Sequence, residues 1–240
     1  SDVAKETGDL ILLNNNFKTI VEACEEGRVI YQNIIKVVGY TLSNSLVEVI
    51  LIVGAMIFDL PFPLTIIQLL FLHLICDGPP DIALGFEPAD PHIMDEKPRN
   101  PQKDHILSWP MLFLVFAISA TAGIISLLIF NKQLGIEGLD NARTMVFATI
   151  GTIDLIYIFS YKNLSRPVYR IKELLNNKVL IFSVLYGFSL LTFALYTPFG
   201  QKLLNVVPLK ISLWPVVMLV ALSTVAWVEL VKKIKNLSTS

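Results

Sequence analysis

Three carboxylates stand inside stretches of the chain that are otherwise uncharged. Glu48 is the only charged residue of 37–58, and Asp154 is the only one of 144–161, while Asp77 ends a third uncharged run. An ionised carboxylate in hydrocarbon costs several kcal/mol, so such residues normally face the interior of a helix bundle and mark an ion pathway. We therefore predict that Glu48, Asp77 and Asp154 are the principal ligands of a metal cation.

Further polar side chains share a helix face with two of these carboxylates. Residues three, four and seven positions apart lie on one side of a helix, and hydroxyl and amide oxygens suit small hard cations. His73 is equally consistent with packing, and a membrane Cys usually behaves as a small apolar residue. The secondary candidates for cation binding are Asn44, Ser45, His73 and Cys76, with Thr41 on the same stripe as the first two.

The segment that carries Asp77 is interrupted in its middle. Asp77-Gly78-Pro79-Pro80 separates an uncharged run from a second apolar run at 82–84. Proline lacks a backbone N–H, so it cannot continue an unperturbed helical hydrogen-bond pattern. Unwound helices near the middle of a membrane coordinate cations through freed carbonyl oxygens. The sequence predicts such an unwound segment beside Asp77.

The composition indicates which elements position these residues. The chain has 240 residues, of which 54% are hydrophobic and only 16% are charged, whereas a soluble domain carries about 25% charged residues. Disorder and a disulfide scaffold are excluded by the same composition, with 2 Cys in the chain. A net charge of −1 offers no basic surface for nucleic acid, so we expect no nucleic-acid partner.

The uncharged stretches have the length of membrane spans. About 20 apolar residues in a helix cross the hydrocarbon core of a bilayer. The fold class is therefore predicted to be all-α, a polytopic membrane bundle of six transmembrane helices with the second one broken. The predicted spans are 37–58, the interrupted 64–84, 109–130, 144–161, 179–197 and 211–230.

Most of the 19 Lys and Arg residues lie on one side of this six-span topology. They occur in the N-terminal segment, in the loop 85–108, in the loop 162–178 and at the C-terminus. The positive-inside rule then places both termini in the cytoplasm. The sequence thus predicts an integral membrane protein whose lipid partner is the surrounding bilayer.

The first 36 residues are expected to be structured. Leu10–Leu13 has the pattern of a short buried strand, and Asn14–Asn16 that of a turn and helix cap. From Phe17 the helical pattern continues without proline to Phe58, which is about 60 Å of helix and twice the bilayer thickness. We predict two regions, 1–36 with the end of a cytosolic domain and a stalk helix, and 37–240 with the six spans and the loop 85–108.

Several short motifs resemble those of a known family. The runs 3–9, 16–20 and 25–28 look like the end of the phosphorylation domain of P-type cation-transporting ATPases. Asp77-Gly78, together with 83–88 and 93–95, resembles the sixth transmembrane helix and the following loop of the calcium-pump-like branch. The resemblance implies a short remnant of a cytosolic α/β phosphorylation domain, followed by the fifth to tenth transmembrane helices of such a pump.

The resemblance also implies where the family's cation ligands fall in this chain. Compared with the family, this chain keeps an acidic residue at all three acidic ligand positions. Three neutral oxygen ligands of the family are replaced here by Ser, His and Cys. Ca²⁺, which takes six to eight oxygen ligands, is the implied ion, with Na⁺, protons and another cation left open. The family's Asn and Glu fall at Ser45 and Glu48, its Asn, Thr and Asp at His73, Cys76 and Asp77, and its eighth-helix Glu at Asp154.

The chain lacks the parts of the family that use ATP. No Asp-Lys-Thr-Gly phosphorylation motif occurs in the sequence. The resemblance therefore implies an ATP-driven enzyme in which this chain alone is inactive. Its partner would be the N-terminal portion of the pump, with the first four transmembrane helices, the actuator, nucleotide-binding and phosphorylation domains, and with ATP and Mg²⁺ bound there.

Two other interpretations remain open from the sequence alone. The chain could be a self-standing six-helix secondary transporter, although such transporters show a broken helix in both halves, and only one break is visible here. It could instead be a non-catalytic membrane subunit. Within the pump interpretation, a fragment, a split-gene product and one half of a complex are all consistent with the sequence.

Overall fold

A computed structural model describes residues 16–95, 106–164 and 174–238. Every regular element in these ranges is helical. A π-helix spans Leu72–Asp77, and two short 3₁₀ turns occur at Ile93–Asp95 and Ile211–Leu213. The α-helices are α1 Phe17–Ile57, α2 Ile66–Phe71, α3 Gly78–Leu84, α4 Trp109–Glu137, α5 Leu139–Tyr161, α6 Lys178–Tyr196, α7 Pro198–Leu204 and α8 Trp214–Ser238.

Six helical segments in the described part of the chain are long and apolar enough to cross a membrane. The first is α1, and the second is the continuous helical run Ile66–Leu84, which comprises α2, the π-helix and α3. The other four lie in α4, in α5, in α6 and in the segment Ile211–Lys233 that contains most of α8. Their outer faces carry large apolar side chains such as Phe113, Phe182 and Leu219, which suits contact with lipid. The predicted all-α bundle with six spans is confirmed.

α1 is one uninterrupted helix of 41 residues. Its N-cap is Asn16, whose side-chain oxygen accepts a hydrogen bond from the Lys18 backbone N–H at 3.0 Å, which satisfies one of the free donors of the first turn. The long helix expected from Phe17 is therefore present. The predicted strand at 10–13 and the stretch 96–105 of the loop 85–108 lie outside the described residues.

α5 lies at the centre of the bundle. It packs against α1, α4, α6, α8 and the π-helix, and most of its residues are buried. A carboxylate on α5 is thus held away from lipid, which is the placement that a charged group in a membrane requires.

α1 and α4 approach each other closely at a glycine. A Cβ added at Gly123 would lie 2.8 Å from Ile50 Cγ2 and 3.2 Å from the Val47 carbonyl oxygen. One turn earlier on α4, Ser119 Oγ donates to the Ser43 carbonyl oxygen at 2.9 Å. Small residues permit this approach, as is common between membrane helices, and they fix the position of α1.

The interruption of the second span differs in form from the unwound segment that the sequence predicted. The helix continues through it, with π-helical hydrogen bonding over Leu72–Asp77, and the Gly78 N–H donates to the His73 carbonyl oxygen. Pro79 and Pro80 stand in the first turn of α3, where a missing N–H is tolerated. The irregularity therefore precedes the prolines, and Asp77 lies where π-helix and α-helix meet.

Candidate cation site

Three polar pairs join α1 to the second span, and together we call them the polar ladder. The two segments run in opposite directions, so successive turns of α1 meet successive turns of the second span in reverse order. In order from the N-terminal end of α1, the pairs of the polar ladder are Thr41–Asp81, Asn44–Asp77 and Glu48–His73.

The middle pair is the most enclosed. Asn44 Nδ2 donates to Asp77 Oδ1 at 2.7 Å, and the two residues are 2% and 5% exposed. Tyr157 donates its hydroxyl hydrogen to Asn44 Oδ1, so the amide is held from both sides. Asp77 is thereby fixed in one orientation beside α1.

Tyr40 connects this middle pair to Asp154. Its hydroxyl donates to the Asp154 carbonyl oxygen at 2.9 Å and lies 3.5 Å from Asp77 Oδ1. The rings of Tyr40 and Tyr157 pack with their centroids 5.1 Å apart. The second span, α1 and α5 therefore meet around one buried cluster that holds Asp77.

Asp154 is buried with an unused oxygen. The residue is 1% exposed, and its Oδ1 has no hydrogen-bond partner among the described residues. Buried polar atoms without a partner are uncommon because burial removes their bonds to water. An unpartnered carboxylate oxygen inside the bundle fits a cation ligand.

The third pair of the polar ladder lies at its other end. Glu48 Oε1 is 3.4 Å from His73 Nδ1, and the same nitrogen lies 3.0 Å from the Leu69 carbonyl oxygen. A carbonyl oxygen only accepts, so Nδ1 carries the hydrogen in this arrangement. The His73 side chain is 44% exposed and lies at the edge of the ladder.

The remaining two candidates are held differently. Ser45 Oγ donates to the Thr41 carbonyl oxygen on its own helix at 3.0 Å, so its lone pairs remain available. Cys76 is fully buried, and its Sγ lies 3.3 Å from where a Cβ at Gly151 would be. Cys76 thus packs against α5.

The carboxylates do not form a ready-made metal centre. Within 16–95, 106–164 and 174–238, no three His, Cys, Asp or Glu side chains approach closely enough to hold a metal ion together. Asp77 and Glu48 are instead engaged one by one with Asn44 and His73. A Ca²⁺ ion would need further oxygens, from shifted side chains or from another segment.

One edge of the polar ladder is uncovered. Thr41 and His73 are exposed on the surface of the described residues, next to exposed apolar side chains such as Val49 and Leu74. Hydrocarbon offers no hydrogen bonds, so a polar edge at membrane depth favours contact with further protein.

Sequence reasoning missed two parts of this site. Asp81 lies four positions after Asp77, and that spacing could have placed it on the same face. Tyr157 and Tyr161 are four positions apart on α5, and that spacing could have placed their rings together. Tyr40 meets both of them only across two helices, so no local spacing identifies it.

Comparison with known proteins decides the family. Residues 61–234 match the family described as "Cation transporting ATPase, C-terminus". The chain belongs to this ATPase family. The resemblance to P-type cation-transporting ATPases of the calcium-pump-like branch is confirmed, and the match covers the second to sixth spans.

Individual proteins similar to this ATPase chain are themselves cation-transporting ATPases. It is 32% identical to a calcium-transporting ATPase of Bacillus subtilis over 220 residues, which is 90% of this chain and 24% of that protein. It is 32% identical to calcium-transporting ATPase 1 of Saccharomyces cerevisiae over 88% of this chain and 22% of that protein. It is 29% identical to the sodium/potassium-transporting ATPase subunit alpha-4 of Homo sapiens over 89% of this chain. The chain spans about a quarter of the length of these relatives.

Proposed function

We propose that this chain is the cation-binding membrane part of an ATP-driven pump and that the transported ion is Ca²⁺. The observation that carries the proposal is Asp77, buried and held by Asn44 at the junction of a π-helix with α3. It lies in the same Tyr40-centred cluster as Asp154, which has an unpartnered oxygen. Membership of the cation-transporting ATPase family supports it, and so do the calcium-transporting relatives.

In this proposal the principal ligands are Glu48, Asp77 and Asp154. They lie on α1, the second span and α5, so relative movement of these helices changes the distances among the three carboxylates. Movement of this kind would expose the site alternately to the two sides of the membrane. The secondary ligands are Asn44, Ser45, His73 and Cys76.

The rest of the pump would supply the energy and the remaining ligands. The uncovered edge with Thr41 and His73 gives polar side chains of additional helices a place to bind. We propose that the N-terminal portion with the first four transmembrane helices lies there, and that ATP and Mg²⁺ bind to its cytosolic domains. This chain alone then hydrolyses no ATP.

The same proposal fixes the orientation. Both termini are cytoplasmic, the region 1–36 belongs to the phosphorylation domain and stalk, and 37–240 is the transmembrane domain. Arg28 Nη1 donates to the Ile93 carbonyl oxygen at 2.8 Å, which ties the stalk to the loop 85–108. That loop would contact the phosphorylation domain.

The test is transport by the complete pump in sealed vesicles. We expect ATP-dependent uptake of ⁴⁵Ca²⁺ and Ca²⁺-dependent ATP hydrolysis, with Na⁺ unable to replace Ca²⁺. ATP hydrolysis that depends on Na⁺ alone would contradict the proposal that Ca²⁺ is the transported ion. Uptake driven by an ion gradient without ATP would reject the pump and favour a secondary transporter.

Replacing His73 with Asn tests the ligand set. An amide oxygen is a hard ligand that Ca²⁺ accepts, whereas an imidazole nitrogen suits softer metals. We expect the H73N variant to need about threefold to tenfold less Ca²⁺ for half-maximal ATP hydrolysis, a gain of up to about 1.4 kcal/mol in binding. A H73A variant keeps neither group and serves as the control. Equal Ca²⁺ requirements in H73N and H73A would show that the amide adds no ligand.

A further inference from the structure

Asp81 is a fourth carboxylate beside the site. Thr41 Oγ1 donates to Asp81 Oδ2 at 2.9 Å, while the other oxygen, Oδ1, is buried and has no hydrogen-bond partner among the described residues. Only one of the two carboxylate oxygens of Asp81 thus accepts a hydrogen bond within the described residues.

The surroundings of Asp81 do not neutralise it. The titratable groups that interact with it are Asp77 and His73, one and two turns away on the second span, Asp154 on α5 and Tyr40 on α1. No Lys or Arg in the described part of the chain forms an ion pair with Asp81. Two carboxylates on successive turns repel each other, so a cation between them would relieve that repulsion.

Asp81 lies where a cation that moves along the polar ladder towards Asp77 would pass. Asp81 and Thr41 form the pair of the polar ladder nearest the N-terminal end of α1, and Asp81 lies about 6 Å along the helix from Asp77. Thr41 is exposed and Asp81 is partly buried, whereas Asn44 and Asp77 are buried. An ion that arrives from this end meets Asp81 before Asp77.

A purely structural role would not need the charge. An asparagine at 81 keeps an oxygen that accepts the hydrogen bond from Thr41. The carboxylate brings one additional property, a negative charge with an unused oxygen, and that property matters to a cation.

We propose that Asp81 and Thr41 form a cytoplasm-facing cation station, at which a hard divalent cation binds before it moves to Asp77. This inference rests on the proposed function, because it uses the same path and the same orientation. It adds a ligand that lies outside the set of Glu48, Asp77 and Asp154.

The experiment compares three variants of the complete pump in inside-out vesicles, with Ca²⁺ added to the cytoplasmic face. We expect D81N to raise the Ca²⁺ concentration for half-maximal ⁴⁵Ca²⁺ uptake about tenfold while the maximal rate stays near that of the wild type. D81E, which keeps the charge, should restore most of the affinity. D140N removes an exposed carboxylate in the first turn of α5 and should match the wild type.

The possible outcomes separate this inference from the proposed function. Wild-type Ca²⁺ affinity in D81N overturns the cation station, provided that D77N has lost cation dependence in the same preparation. Equal losses of affinity in D81N and D81E also overturn it, because they indicate a steric role. Unaltered cation dependence in D77N rejects the proposed site itself, whatever D81N does.

Discussion

Replacing Asp77 with Asn is expected to abolish phosphorylation of the pump at the Ca²⁺ concentrations that saturate the wild type. The amide oxygen still accepts the hydrogen bond from Asn44, so the fold around the middle pair is kept while the charge is lost. A hard divalent cation binds carboxylates more tightly than amides. We expect at least about a hundredfold increase in the Ca²⁺ concentration required, which corresponds to about 2.7 kcal/mol. The measurement is phosphoenzyme formed from radiolabelled ATP as a function of Ca²⁺.

Glu48 provides the independent second variant. E48Q changes charge on a different helix and should cause a loss similar to that in D77N, whereas D140N should leave the Ca²⁺ curve in place. Equal thermal stability of all the variants in detergent would show that they are folded. Wild-type cation dependence in both D77N and E48Q would remove these residues from the site.

Replacing Lys162 with Met is expected to cause the largest loss of stability. Lys162 Nζ lies 2.9 Å from Glu87 Oε1, and the two side chains are 3% and 5% exposed. Asn177 Nδ2 also donates to Glu87 Oε2 at 3.0 Å. Removing one partner of a buried ion pair leaves an uncompensated charge, at a cost of about 3–5 kcal/mol. The unfolding midpoint in detergent should fall by about 10 °C.

Two further variants show whether the lost pair is the cause. K178M removes an exposed lysine near Asn177 and should leave the midpoint within about 2 °C of the wild type. The double variant K162M/E87Q removes both charges of the pair but also takes Glu87 away from the buried Lys36, so it should recover part of the lost stability. A midpoint for K162M equal to that of K178M would show that the ion pair contributes nothing.

Much of the fold could be predicted from local pattern. The spans follow from uncharged runs whose length matches the bilayer, and the start of α1 follows from Asn16 as a cap. Glu48, Asp77 and Asp154 stood out because a charge inside such a run is costly and therefore needs a reason. Each of these signals lies within a single segment of the sequence.

The rest depends on contacts between distant segments. The hydrogen bond from Tyr157 to Asn44 joins residues 113 positions apart, and the contact between Lys162 and Glu87 joins residues 75 apart. No local pattern specifies such partners. The π-helix that ends at Asp77 was also missed, because the prolines predicted a break at their own position, whereas they fit the first turn of α3.

The attachment of α1 to the end of the second span has a geometric consequence. Asn33 Nδ2 donates to the carbonyl oxygens of Gly85 and Glu87 at 3.2 and 2.8 Å, so the two helices are fastened together there. A tilt of α1 about this fastening acts over an arm of about 12 Å at Thr41 and about 22 Å at Glu48. The same angle therefore displaces Glu48 almost twice as far as Thr41. The distance between α1 and the second span would therefore increase most at the pair Glu48–His73 and least at the pair Thr41–Asp81.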